Sequence, residues 1–207
     1  IIIAGHIILI AASASSPAKF DTNNPHCAVF NCPANSTANA AGTICECAKG
    51  YYMNNGQCKQ CPGNSTTEFK GATAVGQCFC NAGYAVSNST VAGKCDTLLN
   101  ENSQCKRENV AVGRYSGELY NCADKCPSHS TTNAIGSTSI NACKCITGYA
   151  IQAGTNGSCP DSVKVINDNS CVETTEGTYS ENLNNCYFSC PSPKTSNRRA
   201  GKIDECY

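Results

Sequence analysis

The chain begins with IIIAGHIILI (residues 1–10), which is almost wholly apolar, and nothing after residue 20 repeats that density. Beyond it, apolar residues come singly or in short clusters. No stretch keeps a 3.6-residue period, so helix is expected to be scarce. Short β-strands are expected around GYYM (50–53), GYAV (83–86), GRYS (113–116) and GYAI (148–151). There, aromatic and β-branched residues sit beside turn-forming glycine. No run reaches the roughly 18 apolar residues that a membrane-crossing helix needs.

The opening run stands apart from the rest. An apolar core followed by small residues, AASASS, fits a signal peptide. Retained in the mature chain, the same run has to be buried, because exposed isoleucine aggregates. Residues 1–20 are therefore expected to form an assembly arm built on Ile1, Ile2, Ile3, Ile7, Ile8, Leu9 and Ile10, as a donated strand or a packed helix. The alternative is a strand inserted in the chain's own first module. A strand donated from each copy to the next gives a head-to-tail contact, hence a ring or filament. His6 reads as a buried, hydrogen-bonded side chain rather than a ligand.

Polar patterning after residue 20 is set by cysteine, and it repeats. The copies are CPANSTANAAGTICECAKGYYMNNGQC (32–58), CPGNSTTEFKGATAVGQCFCNAGYAVSNSTVAGKC (61–95), CPSHSTTNAIGSTSINACKCITGYAIQAGTNGSC (126–159) and CPSPKTSNRRAGKIDECY (190–207). Their shared order is C-P-x-x, a Ser/Thr-rich stretch, then C-x-C-x-x-G-Y and a closing Cys. A second motif, G-x-Y-S-x-x-L-x-N-C-x-x-x-C-P, runs through 113–127 and 177–191. The expected organisation is an arm (1–20), repeat 1 (21–60), repeat 2 (61–95), a connector (96–104), repeat 3 (105–159), a second connector (160–170) and an incomplete repeat 4 (171–207).

Each residue type has a physical reason. Cys-Pro fixes φ just after a bridge and starts a turn without a backbone donor. In an extended C-x-C the two side chains point to opposite faces, so one bridge can reach backward and the other forward. Gly before Tyr permits the positive φ of a tight turn. The Tyr then lies over the bridge in place of a core residue.

Composition sharpens this. Of 207 residues 19 are Cys, aromatics are 7%, and Trp is absent. Cysteine at that density belongs to secreted disulfide scaffolds, an extracellular or cell-surface setting. Net charge is zero and 14% of residues are charged. No basic run tracks a phosphate backbone, which leaves nucleic acid without a binding surface; Asn197–Arg199 reads as a solvated turn. Cys58 and Cys61 have zinc-like spacing, yet in an oxidising setting disulfides win, and no metal or cofactor is expected. His6, His26 and His129 lie in no nucleophile or metal motif, and the carboxylates form no acid–base pair. NDNSC (167–171) is a faint echo of a calcium-binding cluster.

C-x-C-x-x-G-Y with a closing Cys resembles the C-terminal half of EGF-like modules. That resemblance implies the pairs Cys105–Cys126, Cys122–Cys143 and Cys145–Cys159. Nearest-neighbour pairing, with Cys126 to Cys143 as one loop, is the alternative, and the sequence leaves both open. GQCKQCPGNSTTE (56–68) and the Asn/Ser/Thr/Ala-rich spacers resemble the immobilisation antigens of ciliates over residues 27–207. That likeness implies an abundant, non-catalytic coat protein, often lipid-anchored, although no anchor signal is visible. The expected fold is small, disulfide-rich and mostly β: an extended tandem array of EGF-like cysteine modules carrying an apolar N-terminal arm.

The expected bridge-forming cysteines are Cys32, Cys45, Cys47, Cys58, Cys61, Cys78, Cys80, Cys95, Cys105, Cys122, Cys126, Cys143, Cys145, Cys159, Cys171, Cys186, Cys190 and Cys206. If Cys32–Cys45 and Cys47–Cys58 form, Cys27 is left over in the first group, either free or bridged to another molecule; the alternative is that a cysteine the repeat predicts just after Tyr207 upsets the count. Sequons occur at Asn35, Asn64, Asn88 and Asn156, the first two in the same slot of the repeat. In a secreted chain these are N-glycan acceptors, and the Ser/Thr-rich stretches are O-glycan candidates. The expected function is a glycosylated, self-assembling subunit of a surface coat or filament whose partners are copies of itself. A monomeric EGF-like adhesive or ligand-binding protein is the alternative.

Overall fold

The structure, a computed structural model, describes residues 31–88, 95, 97–155 and 158–207; the side chain of Asn88 is not described. The assembly arm, Cys27 and Asn156 lie outside the described residues. Within them there is no α-helix, only short β-strands and three single-turn 3₁₀ segments, in keeping with the missing 3.6 period.

Each C-P segment starts a hairpin that returns through the C-x-C strand. Ser36–Ala38 pairs antiparallel with Cys45–Cys47, Ser65–Thr67 with Cys78–Cys80, and Ser130–Thr131 with Lys144–Cys145. The 3₁₀ turns Val75–Gln77, Ile140–Ala142 and Ile203–Glu205 each lead into the first Cys of a C-x-C or its equivalent. A second hairpin, Tyr51–Asn54 with Gln57–Gln60, turns on Asn55–Gly56. Both turn residues have positive φ, 49° and 78°, as a two-residue hairpin loop requires. Two three-stranded sheets follow. Cys122–Lys125 lies between Ser87–Asn88, parallel, and Arg114–Tyr115, antiparallel. Cys186–Ser189 lies likewise between Gln152–Ala153 and Thr178–Tyr179.

Nine disulfides join the described cysteines. In every copy the Cys of C-P reaches the first Cys of C-x-C or its equivalent: Cys32–Cys45, Cys61–Cys78, Cys126–Cys143 and Cys190–Cys206. The second Cys of C-x-C points the other way and reaches forward: Cys47–Cys58, Cys80–Cys105 and Cys145–Cys171. Two long bridges complete the set, Cys95–Cys122 and Cys159–Cys186.

The pairing implied by the EGF resemblance is therefore not the one found. Cys126 faces Cys143 across its own hairpin, which takes it away from Cys105. Cys105 instead closes a bridge to Cys80, and Cys171 one to Cys145, so bridges run across both connectors. The result is two matching six-cysteine sets, one from Cys61 to Cys122 and one from Cys126 to Cys186. Each ends in a crossed pair of bridges.

Apolar burial is correspondingly slight. One cluster gathers Tyr52, Ala72 and Leu99 around Cys61, Cys78, Cys80 and Cys105. Another gathers Tyr149 and Val165 around Cys143, Cys145 and Cys171, and a third is only Ala85, Val110 and Ala123. Cores this small supply only a few kcal/mol. A bridge closing a loop of about 15 residues adds roughly 3 kcal/mol by restricting the unfolded chain.

Candidate functional site

The feature built most consistently from repeat to repeat is the joint where one copy meets the next. It begins in the C-P turn. Ser36, Ser65 and Ser130 donate their backbone N–H to the carbonyls of Pro33, Pro62 and Pro127 at 3.2, 3.1 and 3.1 Å. The same serines donate their hydroxyls to the same carbonyls. The residue before each serine, Asn35, Asn64 or His129, is left-handed, with φ of 61°, 58° and 58°. Asparagine tolerates that region better than most residues. Its carbonyl accepts the N–H just beyond the C-x-C, from Ala48, Asn81 or Ile146. In the fourth copy Lys194 closes the turn onto Pro191, and the Ser192–Pro193 bond is cis.

Asn35 and Asn64 thus share a slot because the turn needs a left-handed residue there, and their serines because the turn needs a hydroxyl. His129–Ser130 fills the same geometry without a sequon. The shared register is accounted for by the fold and no longer argues for a glycan. Asn35 and Asn64 are exposed. The amide nitrogen of Asn64 also donates to the Cys105 carbonyl at 3.1 Å, tying its turn to the first connector.

The second part is the G-Y glycine. Gly50, Gly83 and Gly148 have φ of 87°, 79° and 77° and sit in turns closed by Tyr51, Tyr84 and Tyr149. At the two later positions a further constraint appears. A Cβ on Gly83 would lie 2.5 Å from the Gly136 carbonyl oxygen, and one on Gly148 would lie 2.5 Å from that of Arg199. Gly136 and Arg199 are themselves left-handed, at 73° and 63°, and occupy the same slot of the following copy. Backbone therefore packs on backbone at both joints. Gly50 has only the Thr66 hydroxyl, at 3.6 Å.

The S and N of the second motif lock the joint. Gly83 and Gly148 donate N–H to the carbonyls of Ser116 and Ser180, at 2.9 and 3.0 Å. The hydroxyls of Ser116 and Ser180 return to the carbonyls of Tyr84 and Tyr149, both at 2.9 Å. Ser116 and Ser180 N–H go on to the next copy, at the carbonyls of Ser137 and Ala200. Asn121 and Asn185, each 2% exposed, work as two-ended staples. Their Oδ1 atoms accept from the N–H of Cys80 and Cys145 at 2.8 and 3.0 Å. Their Nδ2 atoms donate to Thr97 and Val163 in the connectors at 2.8 and 2.7 Å. Next to those contacts Leu99 and Val165 plug into the small cores. The connectors are thus packed elements with exposed tips.

Two polar clusters brace the joints. At the first, Glu101 on the connector meets three groups of the preceding hairpin: Lys59 Nζ at 3.0 Å, Asn54 Nδ2 at 2.9 Å and the Tyr52 hydroxyl at 3.2 Å. Lys59 and Tyr52 hold the Glu101 carboxyl below its ordinary range. Burial and the neighbouring carboxylate push the Tyr52 hydroxyl up, and Glu101 pushes Lys59 up. At the second, His129 stacks on Tyr149 with ring centres 4.1 Å apart, and the Arg199 guanidinium lies 5.1 Å from the Tyr149 ring centre. Glu173 pairs with Arg198 and Arg199 at 3.5 and 3.7 Å. Asp168, in the stretch that echoed a calcium site, instead accepts from the Ser128 N–H at 2.9 Å.

Among the described residues no group of three or more His, Cys, Asp or Glu is placed to hold a metal ion. Cys58 and Cys61 belong to two different bridges, to Cys47 and Cys78. Asn88 lies in the edge strand beside Cys122–Lys125. No helix of the described residues is long and apolar enough to cross a membrane. Sequence reasoning had marked the S and N of the second motif without assigning them a role. Their recurrence at a fixed offset from a cysteine was the available signal.

No family model matches the chain. It is similar to cysteine repeat modular protein A of Toxoplasma gondii, with 26% identity over 223 aligned residues. The alignment takes in 88% of this chain and 7% of that protein, so the chain spans a small fraction of its relative's length. What it shares with this relative is a cysteine-repeat organisation.

Proposed function

We propose that the chain is a non-catalytic structural segment of an extracellular or cell-surface protein, a stapled array in which repeats serve as spacer and coat. The observation that carries this reading is the joint. Two successive joints are built from the same glycine, serine and asparagine contacts, and the chain's best-ordered chemistry is spent on holding copies together. Nine disulfides suit an oxidising compartment. The similarity to a cysteine repeat modular protein points the same way.

The finer reading is a glycosylated subunit, of the kind the immobilisation-antigen resemblance implies, that assembles with its own copies through residues 1–16. Electron microscopy of native, non-reduced material tests it. Regular filaments that vanish when residues 1–16 are deleted support assembly through the arm. Isolated particles, unchanged by that deletion, overturn self-assembly and favour the monomeric binding protein. Thiol titration of the native protein tests the coarser reading: the described cysteines should be unreactive, and eighteen reactive thiols would contradict an oxidising location.

A further inference from the structure

In each six-cysteine set the last two bridges cross. Cys80 pairs with Cys105 while Cys95 pairs with Cys122, and Cys145 pairs with Cys171 while Cys159 pairs with Cys186. Both connectors, 96–104 and 160–170, lie inside both bridges of their pair. They carry exposed tips: Leu98 and Ile166 are each 69% exposed, and Glu101, Asn102, Asn167 and Asp168 are exposed too. Exposed loops are where proteases cut.

Crossing changes what a cut does. With nearest-neighbour pairing, Cys80–Cys95 and Cys105–Cys122, the connector would be a single thread, and one cut would sever the array. With the crossed pairing, Cys80 and Cys122 are joined by three covalent routes besides the uninterrupted chain itself. One follows the chain from Cys80 to Cys95 and crosses to Cys122. Another crosses from Cys80 to Cys105 and follows the chain to Cys122. The third uses both bridges and the connector in reverse. The chain must be cut in all three segments before the two ends part.

The single-thread stretches left between bridges are residue 46, residues 59–60, residue 79, residues 123–125, residue 144 and residues 187–189. Every one of these residues has a ladder partner. Glu46 faces Thr37, Lys59 faces Tyr52, Gln60 faces Tyr51, Phe79 faces Thr66 and Lys144 faces Thr131. Ala123, Asp124 and Lys125 face Asn88, Tyr115 and Arg114. Tyr187, Phe188 and Ser189 face Ala153, Tyr179 and Thr178. A protease must draw its substrate out as an extended strand, and a strand already paired has to open first.

We propose that this arrangement is a device for surviving proteolysis: exposed segments are covalently redundant, and every non-redundant residue between Cys32 and Cys206 is held in a paired strand. A protease hydrolyses peptide bonds in the connectors, and the array remains one molecule. The proposal rests on the oxidised, extracellular reading above, in which such proteases are met.

The chain carries its own test sites. Lys59, Lys125 and Lys144 lie in single-thread strands, whereas Lys106 and Lys164 lie within crossed bridges. Native, non-reduced protein is digested with trypsin and followed by electrophoresis with and without reductant, with peptide mapping of each site. The expected result is a ladder of fragments under reduction and one bridged species without it, apart from trimming at Lys19 and excised loop peptides. Cleavage after Lys59, Lys125 and Lys144 should be slower than after Lys106 and Lys164 by at least about tenfold, since cleavage follows local opening. Array fragments that separate without reductant, or equal cleavage at both sets of lysines, would overturn the proposal. Thiol titration separates the two failures: reactive thiols throughout would overturn the extracellular reading itself, whereas separating fragments with all thiols bridged overturn only this inference.

Discussion

Gly148→Ala isolates the backbone-on-backbone contact that joins successive copies. Two costs arise. Alanine in a left-handed conformation costs about 1–2 kcal/mol, offset by about 0.4–1 kcal/mol because alanine restricts the unfolded chain. The second cost is steric. The added Cβ would sit 2.5 Å from the Arg199 carbonyl oxygen, 3.0 Å from its carbon and 3.1 Å from its Cα. Backbone atoms cannot swing aside like the end of a side chain, and overpacking of this kind costs about 1–3 kcal/mol. The net loss should be about 2–4 kcal/mol. Gly50→Ala is the matched control: it has the same turn and φ of 87°, with no neighbour closer than 3.6 Å. Its loss should be about 0.5–1 kcal/mol, from conformation alone. The assay is denaturant unfolding of the non-reduced proteins by tyrosine fluorescence, the chain having nine Tyr and no Trp. Hydrogen exchange at the Ser180 amide, bonded to the Ala200 carbonyl at 2.9 Å, reports the joint itself. Equal losses for both variants, with Ser180 protection unchanged in Gly148→Ala, would refute the claim that this glycine is there to let copies pack.

Asn185→Leu keeps the branched shape of the side chain, though with bulkier ends, and leaves the Cys145 N–H and the Val163 carbonyl buried without partners; at about 1–3 kcal/mol for each orphaned group, calorimetry should show a loss of about 2–5 kcal/mol. Asn64→Gly and Asn64→Ala both destroy the sequon, but only glycine keeps the left-handed turn without strain. Thermal unfolding should therefore place the alanine variant about 1 kcal/mol below the glycine one, while any glycan mass is lost from both. Glu101 has a lowered carboxyl pKa, so its clamp on Lys59 and Tyr52 stabilises the fold above the ordinary carboxylate range. That contribution fades as pH falls through the depressed folded value; Lys59, with its raised pKa, keeps its share up to the alkaline range. Stability measured against pH should show an acid-side drop that is smaller in Glu101→Gln, and identical profiles would remove the clamp from the account.

Much of the fold could be read from the spacing of cysteine, proline and glycine, because those residues act locally. The opposite faces of C-x-C did send one bridge back and the other forward, and the G-Y glycines do have positive φ. The bridge partners of Cys95 and Cys105 were not readable. The two flank one connector, and which of them reaches Cys80 depends on how Asn121 and Leu99 dock that connector. Such contacts join residues 24 and 41 positions apart and leave no local periodicity. The sequon register was not decisive for a related reason. Asn-x-Ser is both a glycan acceptor and a good left-handed turn, and only the repeated hydrogen bonds of Ser36, Ser65 and Ser130 tell the two demands apart.

The account depends most on the crossed bridges. Disulfide mapping by mass spectrometry, on native protein digested without reductant at acid pH to prevent exchange, addresses them directly. The account predicts peptides linked Cys80–Cys105, Cys95–Cys122, Cys145–Cys171 and Cys159–Cys186. Peptides linked Cys80–Cys95 and Cys105–Cys122, with their counterparts in the second set, would contradict it.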